Sequence, residues 1–455
     1  MLDQTHWKMT VLYSVIFLPI LGRSFFPVVR NTNSITFQSS LTDPQILGVY
    51  ILWACCLWFL VKHPGHLKLA CAPPFWPLTL FVLVAASSVL TVSRAPMYSL
   101  WRSVETCGVL LWGLLVFAQA REHQSPHKLF ASFYAMSALM LVGVIVAVIS
   151  DPQHAWMREG SNVERLDVTS TFLMGANTIG VIAALLSLAA LSRFMVLVKM
   201  RYLIVGSISL ALCYAARSRT GFIVLVLGVC VLTSVLVQMP TRRVISGIVG
   251  ILSSALMVGL LLVSPEFADT VASIFTRGHN EANIKSLDGR MSIWTEALEA
   301  FEQSPLLGSG YATYPMHITG GGHFHNMFIE LAVTTGLLGL IPILILFALL
   351  GARLVKLFHN VPVNATSYPI ESLDALLIGT VVIVSEVTTA GAAYYSWQMI
   401  GIVVLAVGLH TPLDVPQTDD RTECSLQENR PMQKLAQVQG GVLVSEPYRK
   451  PIIFG

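Results

Sequence analysis

The stretch His325–Leu350 reads HNMFIELAVTTGLLGLIPILILFALL. From position 326 to 350 it is almost wholly apolar, longer than the roughly 20 residues that cross a bilayer core. It reads as a spanning helix entered at its polar head, His325-Asn326. Working outward, comparable apolar runs lie at about 9–27, 44–61, 74–92, 98–118, 129–149, 172–192, 200–216, 220–238, 244–263, 372–390 and 394–411. The expected fold is an all-α integral membrane protein with about twelve spans. Composition agrees. Of the 455 residues 54% are hydrophobic and 12% charged, against about 25% charged in soluble domains.

A net charge of +3 is too small to indicate a nucleic-acid partner. Cys55, Cys56, Cys107, Cys213 and Cys230 lie in or beside spans without a CxxC pair, so they read as packing residues rather than a metal or redox site. Lys8 precedes an apolar run as in a signal peptide, but Gly22, Arg23, Phe25 and Phe26 follow instead of an A-x-A-like site. An uncleaved first span is expected. With both termini placed in the cytoplasm, Lys and Arg are in excess on the inside in almost every short loop, as the positive-inside rule requires.

The organisation expected is a polytopic membrane domain over 1–411 and a polar, mobile cytoplasmic tail over 412–455. Two external segments are long enough to hold a site, about 150–171 and 264–325. The second contains Met291, Trp294, Leu298 and Phe301 at helical spacing, with Glu296, Glu299 and Glu302 on other faces. Asp288 reads as its N-cap, and Pro305, Gly308 and Gly310 as its end. Such a helix suits the membrane surface, or packing within a small external subdomain.

Four features of this external side carry chemistry. His325-Asn326 is followed by nine residues and then Gly336-Leu337-Leu338-Gly339. A neutral imidazole at the mouth of a span can accept a proton from a hydroxyl, and the two glycines suit close approach of a neighbouring helix. Arg217-Ser218-Arg219-Thr220-Gly221 stands between two spans. Gly289-Arg290-Met291-Ser292-Ile293-Trp294 opens the amphipathic helix. A cation in a first helical turn disfavours the isolated helix and favours a bound anion. Arg165 is followed by Asn177-Thr178-Ile179-Gly180 at the head of the next span. Each arginine alone could instead be a snorkelling or solvated side chain. Arg102 lies inside a span, three residues from Glu105, either lining the site or in a structural ion pair. No DxD or HExxH is present; His323 and His325 alone could offer a metal two nitrogens.

These motifs resemble the O-antigen ligase and O-antigen polymerase-like family of bacterial membrane glycan transferases. The family shows His-Asn, nine residues and GxxG; an arginine, three residues and a leucine; and Gly-Arg, three residues and Trp. Here Ile223 stands in the leucine's place after Arg219. The resemblance runs from about Arg165 through the last spans, with a core of about 165–350. It implies a GT-C-like, metal-independent glycosyltransferase without cofactor. The implied catalytic residue is His325; Arg219, Arg290, Arg165 and Arg217 would bind pyrophosphate, supported by Asn326, Arg102 and Asn177. The implied donor is an undecaprenyl-pyrophosphate-linked oligosaccharide at the periplasmic face of the inner membrane. The acceptor would be another lipid-linked repeat in a polymerase or lipid A-core in a ligase, with a chain-length regulator or other assembly protein as a further partner. Polymerisation is slightly preferred. A lipid-linked glycan flippase is the reading from another class, but the charged residues gather at one face rather than at the midplane of repeated, broken helices. A non-catalytic assembly scaffold of the same family is the remaining alternative.

Overall fold

The computed structural model describes residues 4–25, 44–123, 126–159, 163–169, 174–237, 290–313, 316–317, 324–359, 370–388 and 396–411. They fall within the unit Met1–Leu413; a second unit, Asp414–Gly455, lies outside the described residues, as does the expected span 244–263. The other expected spans each coincide with helix. In chain order these are α1 (Gln4–Val15), α2 (Leu18–Phe25), α3 (Pro44–Lys62), a 3-10 turn (Pro64–Cys71), α4 (Phe75–Thr91), α5 (Pro96–His123) and α6 (Pro126–Ser150). A hairpin of β1 (Trp156–Glu159) and β2 (Val163–Leu166) precedes α7 (Ala176–Leu197), α8 (Met200–Ala216) and α9 (Arg219–Val237). The chain resumes with α10 (Arg290–Gln303), α11 (Met327–His359), α12 (Ile370–Thr388) and α13 (Trp397–His410).

Among the described residues four helices are long and apolar enough to cross a membrane: Pro96–Glu122, Pro126–Ser150, Ala176–Leu197 and Met327–His359. Ile46–Lys62 with Pro64–Cys71, bent by 103°, makes a fifth candidate. Phe75–Thr91, Met200–Ala216, Arg219–Val235 and Trp397–His410 are apolar but shorter. The expected first span is corrected. α1 and α2, of 12 and 8 residues, break at Ile16-Phe17, just before Pro19, whose ring supplies no N–H to a continuous helix. Leu12, Tyr13, Ile16 and Phe17 are nonetheless buried in the core.

Two devices orient the bundle. At one end Arg193 of α7 forks onto Asp374 of α12, with both Nη···Oδ distances 2.9 Å, and stacks over the Tyr134 ring of α6 at 4.8 Å. Asp374 is 3% exposed. Asp374→Ala should therefore destabilise the protein by about 3 kcal/mol, because it strands a guanidinium in a largely dry site. Thermal unfolding in detergent measures this, and an unchanged midpoint would show the pair to be dispensable.

At the opposite end α7 and α9 touch. A Cβ on Gly221 would lie 2.7 Å from the Gly180 carbonyl carbon, so only paired glycines permit this approach. Since α7 starts at Ala176 and ends beside Asp374, α12 runs antiparallel to it. The last turn of α12 therefore shares an end of the bundle with the first turns of α7 and α9.

Candidate functional site

The residues singled out from sequence gather at that glycine-paired end. Arg217 closes α8 in the left-handed conformation (φ 44, ψ 40), its N–H bonded to Tyr214 O at 3.0 Å. Ser218 then caps α9: its Oγ accepts from the Gly221 N–H at 3.1 Å and bonds Asn177 Oδ1 at 3.4 Å. Asn177, placed among the supporting residues, thus meets the cap between the two arginines. Arg219 is the first residue of α9, and Arg290 is the first of α10. Two helices here begin on a cation where free N–H groups and the helix dipole favour an anion.

Arg165 stands on β2 opposite Met157, with Nη2 4.0 Å from the Met157 sulfur. The hairpin is fastened to α7 by Asp167, which sequence reading passed over. One Asp167 carboxylate oxygen accepts from Thr169 Oγ1 at 2.6 Å, and the other from the first N–H of α7, Ala176, at 3.1 Å. An aspartate at a helix N-terminus satisfies an orphan donor.

His325 adopts φ 55, which histidine tolerates better than most non-glycine residues. Asn326 is the helix cap of α11: its Oδ1 accepts from the N–H groups of Phe328 (2.9 Å) and Ile329 (3.1 Å). Its Nδ2 donates to Val387 O in the last turn of α12 at 3.0 Å. The second half of the His-Asn motif is thus an anchor that ties the mouth of α11 to α12. His323 lies outside the described residues.

α10 supports His325 from the other side. Ala297 is buried with Phe324 and Val333, flanked by Ile293, Ala300, Phe301 and Ile329. The expected apolar face is corrected by this packing: Leu298 is 57% exposed, and the buried stripe runs through 293, 297, 300 and 301. Trp294 uses its indole N–H to bond the Phe324 carbonyl at 2.9 Å, the peptide preceding His325. Trp294→Phe keeps the ring and loses this bond. It should lower turnover of the wild-type reaction about tenfold with little change in donor affinity, the cost of about 1 kcal/mol in holding one peptide. Unchanged turnover would show that the bond does not set His325.

Gly336 is not a helix-packing glycine. It takes φ 62, ψ −165 inside α11, a conformation open essentially to glycine alone. A continuous helix would bond Leu337 N–H to Val333 O and Leu338 N–H to Thr334 O. The segment after α10 replaces both. Leu337 and Leu338 N–H donate to Pro305 O (2.9 Å) and Leu306 O (3.2 Å), while Ser309 and Gly310 N–H donate to Val333 O (3.0 Å) and Thr334 O (2.9 Å). This strap continues to Tyr311, fully buried, which receives a bond from Ser99 Oγ at 2.7 Å and shares one with Thr106 Oγ1 at 2.8 Å.

Sequence reading also missed His317, whose imidazole is held below its usual range by burial and then by the Arg94 cation. Arg102 is paired with Glu105 at 2.8 Å, so its expected ion pair is present.

Residues 204–344 match the family model described as O-Antigen ligase. A 71-residue segment is 39% identical to the "Exopolysaccharide production protein ExoQ" of Rhizobium meliloti (strain 1021), covering 12% of this chain and 16% of that protein. The matched region runs from α8 past the break in α11 and holds Arg217, Arg219, Arg290, His325 and Gly336. Over residues 204–344 this chain is thus similar to the O-antigen ligase family, and among its described residues are helices long and apolar enough to cross a membrane.

Proposed function

We propose that the chain transfers an oligosaccharide from an undecaprenyl-pyrophosphate carrier to an acceptor hydroxyl, at the periplasmic face of the inner membrane, in surface polysaccharide assembly. The observation that supports this most is the shared location of three helix mouths, two opened by Arg219 and Arg290 and the third by the His325-Asn326 pair. Pyrophosphate is the anion such ends receive, and guanidinium forks bind its oxygens in pairs. His325 takes the proton from the acceptor hydroxyl as its oxygen attacks the anomeric carbon. The bond from that carbon to the carrier's phosphate oxygen breaks, and its electron pair leaves with the pyrophosphate. Arg219 and Arg290, with Arg165 and Arg217, offset the charge gathering there. Asn326 and Asn177 hold the helix mouths, and no metal or cofactor enters the scheme. The membrane domain of 1–411, with its core at about 165–350, performs the reaction; 412–455 is a cytoplasmic tail.

We favour polymerisation, in which a second lipid-linked repeat is the acceptor; support comes from the 71-residue likeness to an exopolysaccharide production protein. Transfer to lipid A-core is the alternative. The test is transfer by purified protein from a lipid-pyrophosphate oligosaccharide, offered a lipid-linked repeat or lipid A-core, with and without chelator. Product on the repeat, chelator-insensitive and reduced at least tenfold in Arg219→Lys, is expected, because a point charge does not reproduce a forked donor. No product with either acceptor from folded protein would move the flippase reading ahead, and metal-restored activity would overturn the metal-free scheme.

A further inference from the structure

Arg165 stands on a short hairpin, whereas Arg219 and Arg290 open helices, so its place depends on what holds that hairpin. Ala155, Leu166 and Val168 are buried, and Arg165, on the alternate face of β2, is half-buried. Two backbone bonds tie the segment: Asp167 N–H donates to Ala155 O at 3.0 Å, and Val168 N–H to Met174 O at 3.2 Å. A third tie is the Asp167 side chain, itself buried. One carboxylate oxygen accepts from the Thr169 N–H at 3.1 Å and from its hydroxyl at 2.6 Å. The other accepts from the Ala176 N–H at 3.1 Å.

A cap of this kind does more than a local one would. The residue at the N-cap of α7 is Gly175, in extended conformation (φ −76, ψ 157), and it makes no side-chain bond. A serine or aspartate there would cap the helix by itself, and a Cβ on Gly175 would meet nothing closer than 3.7 Å. The bond comes instead from nine residues upstream, on the segment that carries Arg165. The next residue of α7, Asn177, reaches the other way: its Oδ1 accepts from the Ser218 hydroxyl at 3.4 Å. Ser218 stands between Arg217 and Arg219 and caps α9 through the Gly221 N–H at 3.1 Å. The first turn of α7 therefore links the hairpin of Arg165 to the corner that holds Arg217 and Arg219.

We propose that Asp167 is a positioning residue for pyrophosphate binding: by fastening the hairpin to the first turn of α7, it fixes Arg165 relative to Arg217 and Arg219. This rests on the transfer reading, in which those arginines receive the donor's pyrophosphate. Forked donors act together on one anion only when they are held in register. An Arg165 loosened on its hairpin keeps its charge but must be ordered anew at each binding event, at a cost in affinity.

Calorimetry with inorganic pyrophosphate on the purified full-length protein tests this without any glycan. Asp167→Ala should bind about tenfold more weakly, the share of one charge-assisted contact, and unfold at a lower temperature. Adding Gly175→Ser supplies a local cap, so the thermal midpoint should recover while the affinity stays low. Arg165→Ala should also weaken binding about tenfold. Asp167→Ala on top of it should add less than about twofold, because residues that act through one another are not additive. If Asp167→Ala does not fold, Asp167→Asn, which keeps the shape and one acceptor oxygen, runs the same cycle. Affinity that is unchanged in the Asp167 variant, that recovers with Gly175→Ser, or that falls additively with Arg165→Ala would overturn the positioning role and leave Asp167 a helix cap. A wild type that binds no pyrophosphate would overturn the anion site of the transfer reading, and the positioning role with it.

Discussion

His325→Ala should reduce glycan transfer by roughly 10²–10⁴-fold, the range a positioned general base contributes. Abundance in the membrane should be unchanged. The backbone supplies the control. His325 holds φ 55, where alanine carries strain that asparagine tolerates, so His325→Asn keeps the loop at lower cost while removing the base. Equal loss in both variants places the defect in chemistry. Full activity in His325→Asn would remove the imidazole from the reaction. Loss of the protein itself in His325→Ala alone would make the residue structural.

Gly336→Ala should destabilise the protein by roughly 3–5 kcal/mol, combining a glycine-only conformation with a backbone collision. The added Cβ would run into the Leu306 carbonyl and come within 2.7 Å of the Gly308 nitrogen. The strap cannot retreat without abandoning the four backbone bonds that bridge the helix break, and buried amides left unpaired are costly. Protease sensitivity around 304–313 should rise together with a fall in the thermal midpoint. Because the strap joins α10 to α11, transfer should fall as well. A stable, protease-resistant variant would mean that the break closes into ordinary helix, and the strap would lose its assigned role.

The two variants separate what was legible in the sequence from what was not. Apolar runs of span length mark the helices, because the cost of an unpaired amide in lipid leaves few other structures. Wherever the structure describes an expected span, helix is there. The first span is the informative exception: hydropathy reads 9–27 as one run, while the chain breaks at Ile16-Phe17. Likewise Arg219 and His325 announce themselves by sitting where apolar runs begin, and Arg290 by opening an amphipathic stretch, and adjacency along the chain suffices to place them at helix mouths.

Other features depend on partners far away in sequence, and no local pattern reveals them. GxxG spacing is shared by packing glycines and by helix breaks; the choice was made by residues 305–310, which supply donors and acceptors to the interrupted rung. Trp294 looks like one more apolar residue on an amphipathic face until its indole meets the Phe324 carbonyl. The sequence by itself determined the helical membrane class and the residues able to bind an anion or accept a proton, since hydropathy and side-chain chemistry are local properties. Tertiary structure alone decided which helix is broken and what fills the break, since each depends on hydrogen bonds and burial between segments the chain order keeps apart.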